Sequence, residues 1–301
     1  MQLFSDMNTG VEKVAVLGAG LLGGSIAAAL KERGFGSLGK AVAVSVWSRS
    51  ESTRLKCSQM ARIFDEVCET PSQAVSGADL TVVCTPTDTI ASIVGEIVPH
   101  LKPGAVVTDV GSVKSAICRD CSAALAGSGA DFVGSHPMAG SEKIGVDFAD
   151  GRIFDGRVCI ISPCGASGAD SAALVREFWE SLGMRVEELL PAEHDRIVAH
   201  VSHAPHMLAG TLCRAVEKSL GDFALQFAGP GFRDCTRVVS GSPDIWDAIC
   251  MDNRAEITAA LKEYRACLDS LISDFDSGNF SSIAAALRDA KAYRDKLGGA
   301  S

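Results

Sequence analysis

The chain has 301 residues, 47% hydrophobic and 22% charged, enough to bury more than one core without disulfides or a structural metal. Lys and Arg number 28 against 37 Asp and Glu, and the net charge of −9 excludes the basic field that sequence-independent nucleic-acid binding requires. The 11 cysteines are odd in number and lack framework spacing, which fits a reducing cytoplasm rather than a secreted disulfide scaffold; no basic stretch leads into an apolar core near the N-terminus, so no secretory leader is expected.

Residues 1–12 read as a tail. Lys13–Leu17 is a short apolar run, followed by Gly18-Ala19-Gly20-Leu21-Leu22-Gly23-Gly24 and then by helix-forming residues Ser25–Arg33. The uncharged stretch Val14–Leu30 falls short of a membrane span, and its glycines point instead to a strand–turn–helix unit. Further β-prone runs follow at Ala41–Trp47, Asp79–Cys84, Ala105–Val110, Phe132–Gly134 and Val158–Ser162. Helical stretches such as Thr89–Leu101 and Lys114–Leu125 separate most of them. The alternation predicts an α/β, Rossmann-like doubly wound parallel sheet. The near-continuous apolar strands imply that helices cover both faces.

Ser171–Leu182 reads as a helix leading to an edge strand, Met184–Leu189. From Pro191 the pattern turns all-helical: Pro191 suits a first helical turn, and Glu193 suits a helix N-terminus. Pro205 is expected to kink the helix bearing His200, His203 and His206. Ile257, Ala260, Leu261, Tyr264, Leu268, Leu271, Ile272 and Phe275 recur at helical spacing and predict a buried stripe. Two domains follow: residues 1–190 to bind a dinucleotide, and residues 191–301 as a helical substrate and dimerisation domain.

The glycine fingerprint directly follows a strand and opens a helix, the context that makes it informative. Gly18 allows the tight turn, Gly20 lets backbone approach a pyrophosphate, and Gly23 lets helix and strand pack closely. Leu21 and Leu22 complete the turn, and Thr85-Pro86 closes the third run beside it. After the second run stands Trp47-Ser48-Arg49-Ser50, where an NAD site usually carries an acid for the ribose 2′-hydroxyl. Ser48, Arg49 and Ser50 would instead favour a 2′-phosphate, so NADP is preferred over NAD.

Polar segments follow the later runs, where ligands bind in such sheets: Asp109-Val110-Gly111-Ser112-Val113-Lys114 and Gly134-Ser135-His136-Pro137-Met138-Ala139-Gly140-Ser141-Glu142. His136, at a strand end, suits general-base work, and Ser112 could orient it or share its substrate oxygen. His200, His203 and His206 step by three and so diverge around a helix, and no Cys or Glu completes a ligand set, so no metal is expected. Cys118 and Cys121 read as chance C-x-x-C spacing on a helix. Gly231-Phe232-Arg233-Asp234-Cys235-Thr236-Arg237 could clamp a carboxylate through arginine.

Taken together, Gly18–Gly23, Asp109–Lys114, Ser135–Glu142, Ser202-His203-Ala204-Pro205-His206, Gly231–Arg237 and Trp246 resemble the prephenate and arogenate dehydrogenases of tyrosine biosynthesis. The resemblance implies an NAD(P)-dependent oxidative decarboxylation of a cyclohexadienol. It makes His136 the catalytic base, with Ser112 sharing the hydroxyl and holding the histidine. It makes Arg237 the binder of a substrate carboxylate and places Ser202, His206 and Ser141 near the substrate. It also implies a homodimer through the helical domain, with Trp246 reaching the partner's site. Two other readings compete: a β-hydroxy acid dehydrogenase, which would use a lysine base where this chain offers histidines, and a non-catalytic NADP redox sensor, which would not need His136, Ser112 and Arg237.

Overall fold

The structure is a computed structural model describing residues 10–140, 143–165, 167–241 and 243–298. It divides into two compact units, one ending at Asn253 and the other beginning at Arg254. In chain order the first unit begins with β1 (Lys13–Leu17), α1 (Leu21–Arg33), β2 (Ala43–Trp47), α2 (Glu51–Ser58), β3 (Glu66–Val67), α3 (Pro71–Val75), β4 (Leu80–Val83) and α4 (Thr87–Ile97). It continues with β5 (Val106–Asp109), α5 (Ser115–Leu125), β6 (Asp131–Pro137), β7 (Val158–Pro163), α6 (Ala169–Ser181) and β8 (Arg185–Glu188). The eight strands form one sheet in the order β3-β2-β1-β4-β5-β6-β7-β8. The strand order reverses beside β1, between β2 and β4, which creates the crevice where ligands sit in such sheets.

β1 through β6 are mutually parallel, and their buried Val, Leu and Ala side chains meet helices on both faces. The all-parallel expectation fails at β7, which pairs antiparallel to β6 with His136 opposite Ile160. The reason lies in residues 138–157. Among their described residues there is no crossover helix, and one-turn 3₁₀ segments at Val146–Phe148 and Gly151–Phe154 pack on α1. The Asp150 backbone N–H donates to Ser25 Oγ at 3.0 Å, and a Cβ on Gly24 would lie 2.9 Å from that of Ala149. A parallel strand needs a long crossover to return to the other end of the sheet, and this segment does not supply one. The same pairing extends β6 to Pro137, so His136 lies within the strand, near its end.

Every described element after β8 is helical: α7 (Pro191–Val198), a π-turn at Ala199–His203, α8 (Ala204–Leu220), α9 (Pro230–Thr236) and α10 (Asp244–Asp252), joined by 3₁₀ turns. The expected kink at Pro205 is replaced by the π-turn. The Ala204 N–H reaches back to the Ala199 carbonyl, and the proline, which has no N–H to give, enters the next helix near its start. The second unit is α11 (Arg254–Asp276) followed by α12 (Phe280–Asp295). The predicted stripe on α11 is buried at Ile257 and Ala260, but Leu268, Leu271, Ile272 and Phe275 are exposed. No described helix is long and apolar enough to cross a membrane.

Candidate active site

The glycine turn between β1 and α1 is shaped by its neighbours. Gly18 holds φ +111°, and a Cβ there would come within 2.6 Å of the Cys84 carbonyl oxygen and 3.0 Å of Thr85 N. A Cβ on Gly23 would sit 2.0 Å from the Gly18 oxygen, so only glycine lets α1 start this close to β1. Gly20 differs: its backbone is extended, and a Cβ there would meet nothing within 4 Å. The turn thus presents open backbone at the N-terminus of a 13-residue helix, with half-buried Leu21 and Leu22 flanking it. Such a terminus attracts phosphates through its unpaired N–H groups and dipole. Across the crevice, Thr85 follows β4 and Pro86 caps α4; the buried Thr85 Oγ1 has no hydrogen-bond partner among the described residues. An open cradle facing an orphaned hydroxyl fits a dinucleotide cofactor.

At the end of β2, the Gly18 N–H donates to the Trp47 carbonyl at 2.8 Å, joining this edge to the glycine turn. Arg54 shapes the loop by donating to the carbonyls of Ser48 (2.9 Å) and Arg49 (3.2 Å) while pairing with Glu69. Ser50 caps α2 through its hydroxyl, which accepts from the Thr53 N–H. Arg49 is exposed and makes no ion pair among the described residues.

Three and four strands away from β2 in the same sheet, the ends of β5 and β6 carry a buried polar network. Asp109, fully buried, accepts from the N–H of Gly111 (2.8 Å) and of Ser135 (2.9 Å) and pairs with the fully buried Lys114 ammonium. Thr108 and Ser135 hydroxyls bond at 2.6 Å, tying the two strands together. A charge this deep persists only when paired and hydrogen-bonded, as both members are here.

His136 lies beside this network, 8% exposed. Its Nδ1 is 2.8 Å from His194 Nε2, and His194 Nδ1 is 2.8 Å from Asp195 Oδ1. Both partners come from the first turns of α7. Asp195 in turn accepts from the N–H of Lys114 (2.7 Å) and Ser115 (2.9 Å), where α5 begins. Burial tends to raise the Asp195 carboxyl, but hydrogen bonds from His194, Ser115 and Lys114 outweigh it and hold the pKa at about 2. Burial, reinforced by facing His194 and Lys114, pushes the His136 pKa well below the usual histidine value. His194 is also lowered, chiefly by burial, against the pull of Asp195. Both rings are therefore neutral at neutral pH.

The other candidates gather into a second cluster or stand apart. Asn253, buried at the end of α10, donates to the Asp195 carbonyl (2.9 Å) and lies 3.1 Å from His203 Nδ1. His203 meets Trp246 edge-on, and Trp246 stacks on His206 with ring centroids 3.6 Å apart. Within the chain, the Trp246 ring is held by this stack on His206. Ser202 lies half-buried on the π-turn. Arg237 is exposed on a 3₁₀ turn that packs against α8. Ser112 is half-buried after β5 and shares no hydrogen bond with His136, so the expected holding role falls to His194, which already occupies Nδ1. Ser141 lies outside the described residues. No group of described residues could hold a metal ion. His194, Asp195, Lys114 and Asn253 were not among the site residues anticipated. The adjacent His194-Asp195 in a helix's first turn was the available signal, but its burial is not visible in sequence.

Two family models match the chain: the prephenate dehydrogenase nucleotide-binding domain over residues 26–188 and the prephenate dehydrogenase dimerization domain over residues 190–289. The chain belongs to the prephenate dehydrogenase family. It is 30% identical over 261 residues to the cyclohexadienyl dehydrogenase of Zymomonas mobilis, covering 86% of each chain. Among solved structures it resembles Synechocystis arogenate dehydrogenase, with 31% identity and a TM-score of 0.82 over 95% of this chain and 99% of that one. It also resembles A. aeolicus prephenate dehydrogenase in complex with hydroxyphenyl propionate and NAD+, with 26% identity and a TM-score of 0.87 over 95% and 98%. Family membership makes a nicotinamide dinucleotide the cofactor class of the glycine turn.

Proposed function

We propose that the protein catalyses the oxidative decarboxylation of prephenate or arogenate with NADP as the preferred cofactor, giving 4-hydroxyphenylpyruvate or tyrosine. The observation that carries this reading is the bond from His136 Nδ1 to His194. It commits Nδ1 and leaves Nε2 of a neutral, buried imidazole as a base. His136 Nε2 takes the proton of the ring hydroxyl, and the ring carboxylate leaves as CO₂ while its bonding pair completes the aromatic ring. The bound nicotinamide supplies the hydride acceptor for the carbinol carbon. Gly18, Gly20, Leu21, Leu22, Gly23, Thr85 and Pro86 hold the dinucleotide, and Ser48, Arg49 and Ser50 meet the 2′-phosphate.

Ser112 shares the substrate hydroxyl with His136. Arg237 pairs with a substrate carboxylate, supported by its charge and exposure, with Ser202, His206, Trp246 and Ser141 around the ring. The functional division falls at residue 190, and the cytoplasm is the working compartment. The exposed apolar row Leu268, Leu271, Ile272 and Phe275 supports a homodimer through the helical part, because a stripe this regular is left uncovered in one chain. The test is His136→Asn, assayed with each substrate and each cofactor. Turnover should fall at least about 100-fold while cofactor affinity holds; near-normal turnover would remove His136 from the base role.

A further inference from the structure

His136 is not held by the loop that carries Ser112 but by a helix of the following, all-helical segment. The His136–His194–Asp195 line is continuous, with two contacts of 2.8 Å, and all three side chains are buried. Two backbone N–H groups at the start of α5 fix the Asp195 carboxylate. The tautomers then follow from the donor inventory. A carboxylate only accepts, so His194 must present N–H at Nδ1. A neutral His194 then offers a lone pair at Nε2, so His136 must carry its proton at Nδ1.

We infer that His194 and Asp195 form a positioning relay that locks His136 in the Nδ1–H tautomer, leaving Nε2 free to take the substrate proton, and that shares the charge the ring then acquires. As Nε2 gains the hydroxyl proton, His136 becomes an imidazolium whose Nδ1–H still donates to His194, with the fixed anion of Asp195 one ring further back. No atom leaves the line. Asp195 serves a second purpose: its main-chain carbonyl accepts from Asn253, whose amide also contacts His203, and His203 packs on the Trp246–His206 stack. One residue thus joins the base to the aromatic cluster, and neither His194 nor Asp195 needs to touch substrate.

The inference rests on the proposed reaction only for its kinetic consequence, so the test has two arms. Long-range ¹H–¹⁵N NMR of histidine-labelled protein, without substrate, reads the tautomers directly. His136 and His194 should both be neutral and protonated at Nδ1 at neutral pH; a proton on Nε2 of either ring would overturn the relay. In the kinetic arm, His194→Met removes the acceptor at similar bulk, while His194→Gln returns an amide oxygen near the former Nε2. His194→Met should lose about 100-fold in kcat with KM for substrate and Kd for cofactor within threefold. His194→Gln should recover at least tenfold of that loss. A merely structural histidine would leave the two variants equal, and that equality would refute the relay. Failure of the unmodified protein to oxidise either substrate would sink the proposed reaction while the tautomers still decide the relay.

Discussion

Gly20 offers a test in which the direction of two effects is opposite. Its φ of −84° and ψ of −162° are accessible to any residue, and an added Cβ would meet nothing within 4 Å. Gly20→Ala should therefore stabilise the cofactor-free protein by about 0.4–1 kcal/mol, by restricting the unfolded chain without straining the folded one. On a protein of this size that is a rise in Tm of roughly 1–4 °C. The same methyl group would stand where the pyrophosphate approaches the backbone, so cofactor Kd should weaken at least about tenfold, or ~1.4 kcal/mol. Gly23→Ala provides the contrast: its Cβ would lie 2.0 Å from the Gly18 oxygen, so stability itself should fall by roughly 1–3 kcal/mol or more. Thermal melts without cofactor and calorimetric titration with NADP+ and NAD+ read both quantities. A Gly20→Ala protein that melts lower than its parent, or binds cofactor equally well, would refute the reading of this turn as an open dinucleotide cradle.

Arg49→Gln should weaken NADP+ at least tenfold and leave NAD+ within threefold; equal losses for both would deny Arg49 the 2′-phosphate. Arg237→Gln should raise KM for substrate at least tenfold with cofactor Kd unchanged, and an unaltered KM would place the carboxylate clamp elsewhere. Acid should destabilise the fold through His203, which burial and then the neighbouring His194 hold down at about 4. The unfolded chain binds this proton at about 6.5, so the stability it contributes is complete above that pH and is lost as pH falls toward 4. Between pH 7 and pH 5 the loss from His203 is about 2 kcal/mol. Urea melts should show it, and His203→Gln, which keeps an acceptor for Asn253, should remove that portion of the acid dependence; an unchanged pH profile would contradict it.

Short apolar runs bounded by glycine or proline announced β1, β2, β4 and β5, because parallel strands covered on both faces carry little else. The two-residue β3 has no comparable run: Glu66-Val67 pairs with β2 only along Ser45 and Val46. The direction of β7 depends on where residues 138–157 dock, and that docking rests on Gly24 having no side chain, since a Cβ there would lie 2.9 Å from that of Ala149. His136 was recognisable as a candidate base, but its support was not. The relay joins residues 58 positions apart, and nothing in the periodicity of α7 distinguishes a buried His194 from an exposed one. The π-turn likewise arises from how Pro205 is accommodated, and a kink would have met the same local requirement.

The most direct test of the proposed reaction is a mass balance. Purified protein would be incubated with prephenate or arogenate and NADP+ or NAD+, and reduced cofactor, CO₂ and aromatic product would be measured together. With at least one pairing the three should appear in equal amounts, with His136→Asn abolishing all of them. Reduced cofactor formed without CO₂ and without an aromatic ring, or no reduction with any pairing, would contradict oxidative decarboxylation at His136.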